Sequence, residues 1–189
     1  MNMLETLYET LDYYGENNDL RGIKRETYHT QDPDYPGKME EKVTKSCQYV
    51  VTNGEKKFCA VGRCMLEELW DWAVDVSGSV EDLISEYWTH HLGEEEDIRD
   101  VSEQTLMNEM MMPEHQHPVR FWSSLQELHD TDTAWSCIPG VWLTHQGEEF
   151  LEQVLDVIRD SEPDLLHDCS NLVVKLKKEN RIETNHLQE

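Results

Sequence analysis

The feature that most constrains this chain is a run of apolar residues that recurs at steps of three and four. Its members are Phe58, Met65, Leu69, Trp72 and Val76. This spacing is the period of an amphipathic α-helix and not of a strand, so it predicts a central helix over residues 58–74. Gly62 falls on the same stripe, where glycine weakens a helix, which predicts that another segment packs closely against it.

Helical periods also predict several other helices. They cover residues 2–14, 80–88, 120–128, 145–160 and 164–178, and the last carries Leu165, Leu166, Leu172, Val173 and Leu176 on its apolar side. Ser79 and Asp82 have the spacing of a capping box, and Thr144 is predicted to be the N-cap of the helix that follows it. The sequence therefore predicts a mainly α-helical fold, with at most a small β-hairpin or short extended segments.

Turn-forming residues set the expected boundaries of the domain. The run Asp32-Pro33-Asp34-Tyr35-Pro36-Gly37 predicts a loop over residues 19–39, and Asn53-Gly54 predicts a turn after a short strand at 47–51. The polar residues 179–189 predict a frayed C-terminal tail. Residues 1–178 are thus expected to form a single acidic helical domain.

The charge of the chain is large and unevenly distributed. The net charge is −24, from 40 acidic and 16 basic residues, and residues 64–174 hold 26 of the acids with only three bases. This excludes ordinary nucleic-acid binding and disfavours anionic membranes, which both require basic surfaces. No apolar run is long enough for a transmembrane helix, and residues 1–5 do not resemble a signal peptide. We expect a cytoplasmic protein with a basic partner.

Three pieces of the chain carry a resemblance to a known family. They are Phe58-Cys59-Ala60-Val61-Gly62 opening a helix, the turn Leu125-Gln126-Glu127-Leu128-His129-Asp130, and Leu143-Thr144 before an amphipathic helix. In this order they resemble a small uncharacterised domain of bacteriophage and actinobacterial genomes, over residues 58–160. The acidic stretch between Ser77 and Pro118 departs from that pattern. The resemblance implies a phage origin but supplies no catalytic residues, because the family has no established activity.

The carboxylates of the middle block are the main candidate site for binding a partner. They are Glu67, Glu68, Asp71, Asp75, Glu81, Asp82, Glu86, Glu94, Glu95, Glu96, Asp97 and Asp100. Rows of carboxylates can imitate the phosphates of DNA, which predicts a non-enzymatic inhibitor, without cofactor, of a basic nucleic-acid-handling host protein. The alternative is that acidity serves only solubility or adaptation to salt, as in an accessory structural phage protein.

A Cys- or metal-dependent enzyme is the alternative from another class. Cys59 at a helix start would have a stabilised thiolate, and His129, oriented by Asp130 or Asp132, would act as its base. The competing interpretation of Cys59 is a small buried thiol packed against Gly62.

Metal binding has weak support in the sequence. The spacing of paired zinc ligands is absent, which leaves His115 and His117, between two prolines, as the best candidates. The aspartates of residues 129–133 suggest a calcium loop, but they fit a turn whose side chains cap backbone amides better, because the glycine and distal glutamate are missing.

Overall fold

The computed structural model describes residues 1–31, 39–53, 55–92 and 101–183. Within these ranges the chain is mainly helical with small antiparallel hairpins, which confirms the predicted fold class. The helices are α1 (Met3–Gly15), α2 (Trp70–Ala73), α3 (Val80–Tyr87), α4 (Glu103–Met110), α5 (Val119–Asp130), α6 (His145–Ser161) and α7 (Leu166–Lys178). The strands are β1 (Ile23–Gln31), β2 (Met39–Cys47), β3 (Val50–Asn53) and β4 (Glu55–Phe58).

Side-chain caps define where three of the helices begin. Ser79 and Asp82 form a reciprocal capping box at α3, and Thr144 accepts the Gly147 N–H at α6, as the sequence predicted. Asn2 and Glu5 form a second capping box at α1. Such caps satisfy backbone N–H groups that have no partner inside the helix, so they fix the start of each element.

The centre of the core is the pairing of α5 with α6, and α1 and α7 also pack against α6. The buried faces of α5 and α6 carry apolar residues at helical spacing: Phe121, Trp122, Leu125, Leu128, Leu151, Val154, Leu155 and Ile158. Phe150 is only partly buried, and Leu166, predicted to face inward, is 57% exposed. No helix among the described residues combines the length and the apolar character needed to cross a membrane.

The predicted central helix over residues 58–74 is wrong. Phe58 ends β4, and two short 3₁₀ helices, Gly62–Cys64 and Glu67–Leu69, precede the single turn of α2. Residues 59–62 are all buried, whereas an amphipathic helix would expose one side. The close approach at Gly62 is confirmed, because this residue lies directly against the backbone of Tyr49.

The predicted loop over residues 19–39 is also wrong for much of its length. β1 occupies residues 23–31 and pairs in antiparallel register with β2, from Ile23 opposite Cys47 to Gln31 opposite Met39. The proline-rich turn at residues 32–38 lies outside the described residues. The second hairpin pairs β3 with β4. The sequence predicted the turn at Asn53-Gly54 but not the strand β4 after it, and Gly54 itself is not among the described residues.

Residues 179–183 belong to the folded domain and are not part of a frayed tail. Ile182 is buried and forms a parallel bridge with Leu143. Arg181 donates to a carboxylate oxygen of Glu16, at the end of α1, over 2.7 Å. Arg181 and Ile182 therefore pack against other described segments, and residues 184–189 are outside the described part of the chain.

Candidate protein-binding surface

The first group of predicted binding residues lies on the surface around α2. Glu67, Glu68, Asp71 and Asp75 are all exposed, and we call this group the acidic face. Within the described residues, the only ion pair in the group joins Asp71 to Lys56, with 3.5 Å between their charged atoms. A surface ion pair of this length contributes little energy, so the carboxylates of the acidic face remain open to a basic partner.

The second predicted group, on α3, is divided among different roles. Asp82 accepts hydrogen bonds from the Ser79 backbone N–H and hydroxyl, which lower the pKa of its carboxyl group. Glu81 accepts a hydrogen bond from the Ser123 hydroxyl of α5. Glu86 is exposed. Asp82 thus acts mainly as a helix cap, and the binding role of this group stays a prediction. Glu94, Glu95, Glu96, Asp97 and Asp100 lie outside the described residues.

An aromatic cluster that the sequence analysis missed connects α2 to the end of α3. It consists of Trp72, Tyr87, His90 and His91, and we call it the aromatic–histidine cluster. The centroid of the Trp72 ring lies 5.8 Å from that of Tyr87 and 5.3 Å from that of His91, and the Tyr87 and His91 centroids are 4.6 Å apart. His90 stacks on Trp72 with 6.2 Å between centroids. Four rings therefore form one contact group between the two acidic segments.

The backbone after α3 explains how both histidines reach Trp72. The last turn, Trp88–Leu92, is a π-helix, whose wider turn changes the direction in which successive side chains leave the backbone. Tyr87 and His91 are four residues apart, which is a helical spacing that was visible in the sequence. The approach of Trp72 was not visible, because it depends on how α2 packs against α3.

The cluster is partly exposed, and the pKa values of two of its rings are shifted. Trp72 and Tyr87 are half-buried, while His90 and His91 are exposed. Burial, followed by the neighbouring His90, lowers the pKa of His91, and burial together with the charge of Glu109 raises the pKa of Tyr87. At neutral pH the His91 and Tyr87 rings are therefore uncharged, and they form an aromatic contact area beside Asp71, the carboxylate next to Trp72 in the chain.

The proposed Cys–His pair lies in the core. Cys59 and His129 are both fully buried, and the Cys59 thiol accepts the Gly62 N–H over 3.3 Å. His129 Nδ1 is 2.7 Å from a carboxylate oxygen of Asp130, and the His129 ring packs edge-on against Tyr14. No hydrogen bond joins Cys59 to His129 within the described residues. This arrangement is that of a packed thiol and a buried neutral histidine.

The two metal candidates share a hydrogen-bonding partner. The Thr6 hydroxyl oxygen lies 2.8 Å from His117 Nε2 and 3.3 Å from His115 Nδ1, and both histidines are buried. Burial is the main cause that lowers the pKa values of His115 and His117. The pKa of His117 is lowered to about 4. No cluster of three or more metal-binding side chains occurs in the described ranges. The described contacts therefore place His115 and His117 in the packing between α1 and the segment before α5.

The aspartates of residues 129–133 have partners within the protein. Asp130 accepts from His129, and Asp132 forms an ion pair with Arg21 over 2.9 Å. Arg21 also donates to the His129 carbonyl oxygen over 2.8 Å, and its side chain is only 8% exposed. The bonds described for these aspartates are to side chains, whereas the turn interpretation predicted bonds to backbone amides. They join the start of β1 to the end of α5.

Comparison with known proteins gives no relative. No family model, no curated protein and no solved structure matches this chain.

Proposed function

We propose that this protein is a non-enzymatic inhibitor that binds a basic, nucleic-acid-handling protein through its acidic face and aromatic–histidine cluster. In this proposal the acidic face occupies the position that nucleic acid would take on the partner. The proposal includes a phage origin and a host protein as the target. The support for both is the resemblance of residues 58–160 to a domain of bacteriophage genomes.

The observation that carries the proposal is the position of Trp72 among exposed carboxylates. Asp71 and Asp75 lie on either side of Trp72 in the sequence, and the ring of Trp72 is half-buried against Tyr87 and His91. Interfaces derive most of their affinity from a few anchored aromatic residues, whereas charges at the rim steer association. The surface offers both components within one short segment.

The charge balance supports a basic partner in particular. Residues 64–174 carry 26 acids and three bases, and the acidic face has only the weak pair with Lys56 among the described residues. A surface of this kind attracts a basic groove over a long range and accelerates association, an effect that salt weakens. The same basic groove would bind duplex DNA, whose phosphates lie about one per 1.7 Å of helix axis.

Capture from a bacterial lysate tests the proposal. The tagged wild-type protein is compared with a neutralised variant, Glu67→Gln/Glu68→Gln/Asp71→Asn/Asp75→Asn, and with Trp72→Ala. We expect the wild type to retain one basic nucleic-acid-handling protein that duplex DNA displaces. The neutralised variant should retain at least about tenfold less of it, the loss expected when several interface charges are removed.

A matched control removes four exposed carboxylates from other elements: Glu127→Gln/Glu149→Gln/Asp164→Asn/Glu179→Gln. It has the same net charge as the neutralised variant and should retain the wild-type amount of the partner. Equal loss from both variants would show that net charge alone causes the capture. Failure of duplex DNA to displace the partner would contradict competition with nucleic acid.

A further inference from the structure

A groove of about 830 Å³ lies between α1 and α7, and its lining includes no residue of the acidic face. Its apolar lining includes Leu4 and Tyr8 of α1 and Leu172 of α7. These positions and their neighbours follow helical spacing over about two turns on each side, a length of roughly 11 Å. The groove therefore has the length and the apolar lining that suit a short helical segment laid between α1 and α7.

Carboxylates dominate the rim of this groove. Glu9 lines it from α1, Asp168 from α7, and Glu114 from the short 3₁₀ helix before α5. No ion pair involves these three carboxylates within the described ranges. All three side chains are exposed, so a partner's ammonium or guanidinium groups can approach them from solvent.

The one lysine of the groove is held by an aromatic ring. Lys175 donates a hydrogen bond to the Tyr8 hydroxyl over 3.1 Å, and its ammonium nitrogen lies 4.4 Å from the centroid of the Tyr8 ring. The hydrogen bond to Tyr8 is the main cause that raises the pKa of Lys175. The Lys175 ammonium group is thus held at Tyr8 and forms no described ion pair with Glu9, Glu114 or Asp168. These rim carboxylates can therefore pair with basic side chains of a partner.

We propose that the α1–α7 groove binds a basic amphipathic helix of a partner protein. Leucine-type side chains of that helix contact Leu4, Tyr8 and Leu172, and its lysines or arginines pair with Glu9, Glu114 and Asp168. Acidic segments are disfavoured by like charge at the rim. The inference uses none of the residues of the acidic face, so it holds or fails independently of the function proposed above.

The test uses a fluorescein-labelled peptide of leucine and lysine, about 14 residues long, with leucines at helical spacing. Fluorescence anisotropy measures its affinity for the full chain at about 150 mM salt. Two groove variants are compared with the wild type: Glu9→Gln/Glu114→Gln/Asp168→Asn removes the rim charges, and Asn171→Trp places a bulky ring at an exposed position in the groove. Each should weaken binding at least about tenfold, as expected for a central interface contact.

Two controls separate groove binding from general attraction to an acidic protein. The variant Glu67→Gln/Glu68→Gln/Asp75→Asn removes the same charge from the acidic face and should change the affinity less than about twofold, as expected for charges outside the interface. A peptide of the same composition with scrambled leucine spacing should bind at least about tenfold more weakly, because it cannot present one apolar face.

Three outcomes would overturn the inference. Equal weakening by the acidic-face variant or equal binding of the scrambled peptide would assign the binding to net charge. Unchanged affinity in Asn171→Trp would place the peptide elsewhere. Self-association of the wild type in sedimentation velocity, abolished by Asn171→Trp, would assign the groove to a second copy of this chain.

Discussion

Gly62 lies so close to the Tyr49 carbonyl that a Cβ atom at position 62 would overlap the carbonyl oxygen and carbon. Tyr49 is itself held in place, because its hydroxyl group donates to the Ser79 carbonyl oxygen over 2.6 Å. Tyr49, the residue before β3, therefore contacts two other segments. It packs against Gly62 in the buried segment after β4, and it binds Ser79, the cap of α3.

We expect Gly62→Ala to lower the free energy of unfolding by about 3 kcal/mol, the upper range for overpacking in a core. The cost arises because the backbone at Tyr49 must move. Gly140→Ala is the control: its φ of +78° is unfavourable for alanine, but no atom lies within 4 Å of the added Cβ, so about 1 kcal/mol is expected. Urea unfolding measures both. A smaller cost at position 62 than at position 140 would contradict the prediction.

The ion pair between Arg21 and Asp132 should stabilise the fold more than a surface pair does. We expect Asp132→Asn to lower the free energy of unfolding by about 2 kcal/mol, because the mostly buried Arg21 guanidinium would lose the negative charge of Asp132. Asp156→Asn breaks a surface pair with Arg159, and Asp156 is 72% exposed, so its cost should stay below about 0.5 kcal/mol. Equal costs for the two variants, measured by thermal or urea unfolding, would refute this ranking.

Acidification should destabilise the fold through its buried histidines. Burial lowers the pKa of His117 from the ordinary 6.5 to about 4 and also lowers that of His129. Between pH 6.5 and 4 the unfolded chain binds a proton at His117 that the folded chain does not, and His129 acts in the same direction below pH 6.5. The stabilisation is therefore complete above pH 6.5 and decreases as the pH falls through this window.

Comparison of the wild type with His117→Gln isolates this effect from the many carboxylates. Each such histidine contributes a slope of at most about 1.4 kcal/mol per pH unit. Urea unfolding at pH 7 and pH 5 should show a smaller pH dependence in the variant than in the wild type. An identical dependence would show that His117 does not titrate in this way.

Cys59→Ala distinguishes the proposed inhibitor from a Cys-dependent enzyme. The thiol accepts the Gly62 N–H in the core, so its loss should cost about 1 kcal/mol of stability and leave partner capture at the wild-type level. Circular dichroism checks the fold, and the lysate assay checks capture. Loss of capture in a variant that remains folded would indicate that Cys59 has a functional role.

The sequence predicts the helices best where one face is apolar and a cap marks the start, as in α6 after Thr144. It fails over residues 58–74 because a three-residue spacing is also the period of 3₁₀ turns, and because this segment is buried on several sides. β1 and β2 were missed because their sequences are polar and lack the alternation that marks a half-buried strand.

For the candidate sites, the sequence predicts which charged residues are exposed but not which distant residues come into contact. The exposure of Glu67 and Asp71 agrees with the sequence prediction, because charged side chains remain solvated. The contact of Trp72 with His91 and the groove between Tyr8 and Lys175 depend on segments that are distant in the chain. No local pattern carries that information, so these features appear only in the folded structure.

The contact between Arg181 and Glu16 means that α1 cannot make all of its final contacts until late in synthesis. The Glu16 carboxylate accepts both the Arg181 guanidinium and the Trp142 indole N–H. The end of α1 is made early, yet it reaches its final partners only after residue 181 has left the ribosome. Until then α1 lacks these contacts, so the final packing of the first helix forms only after residues 1–181 have all been translated.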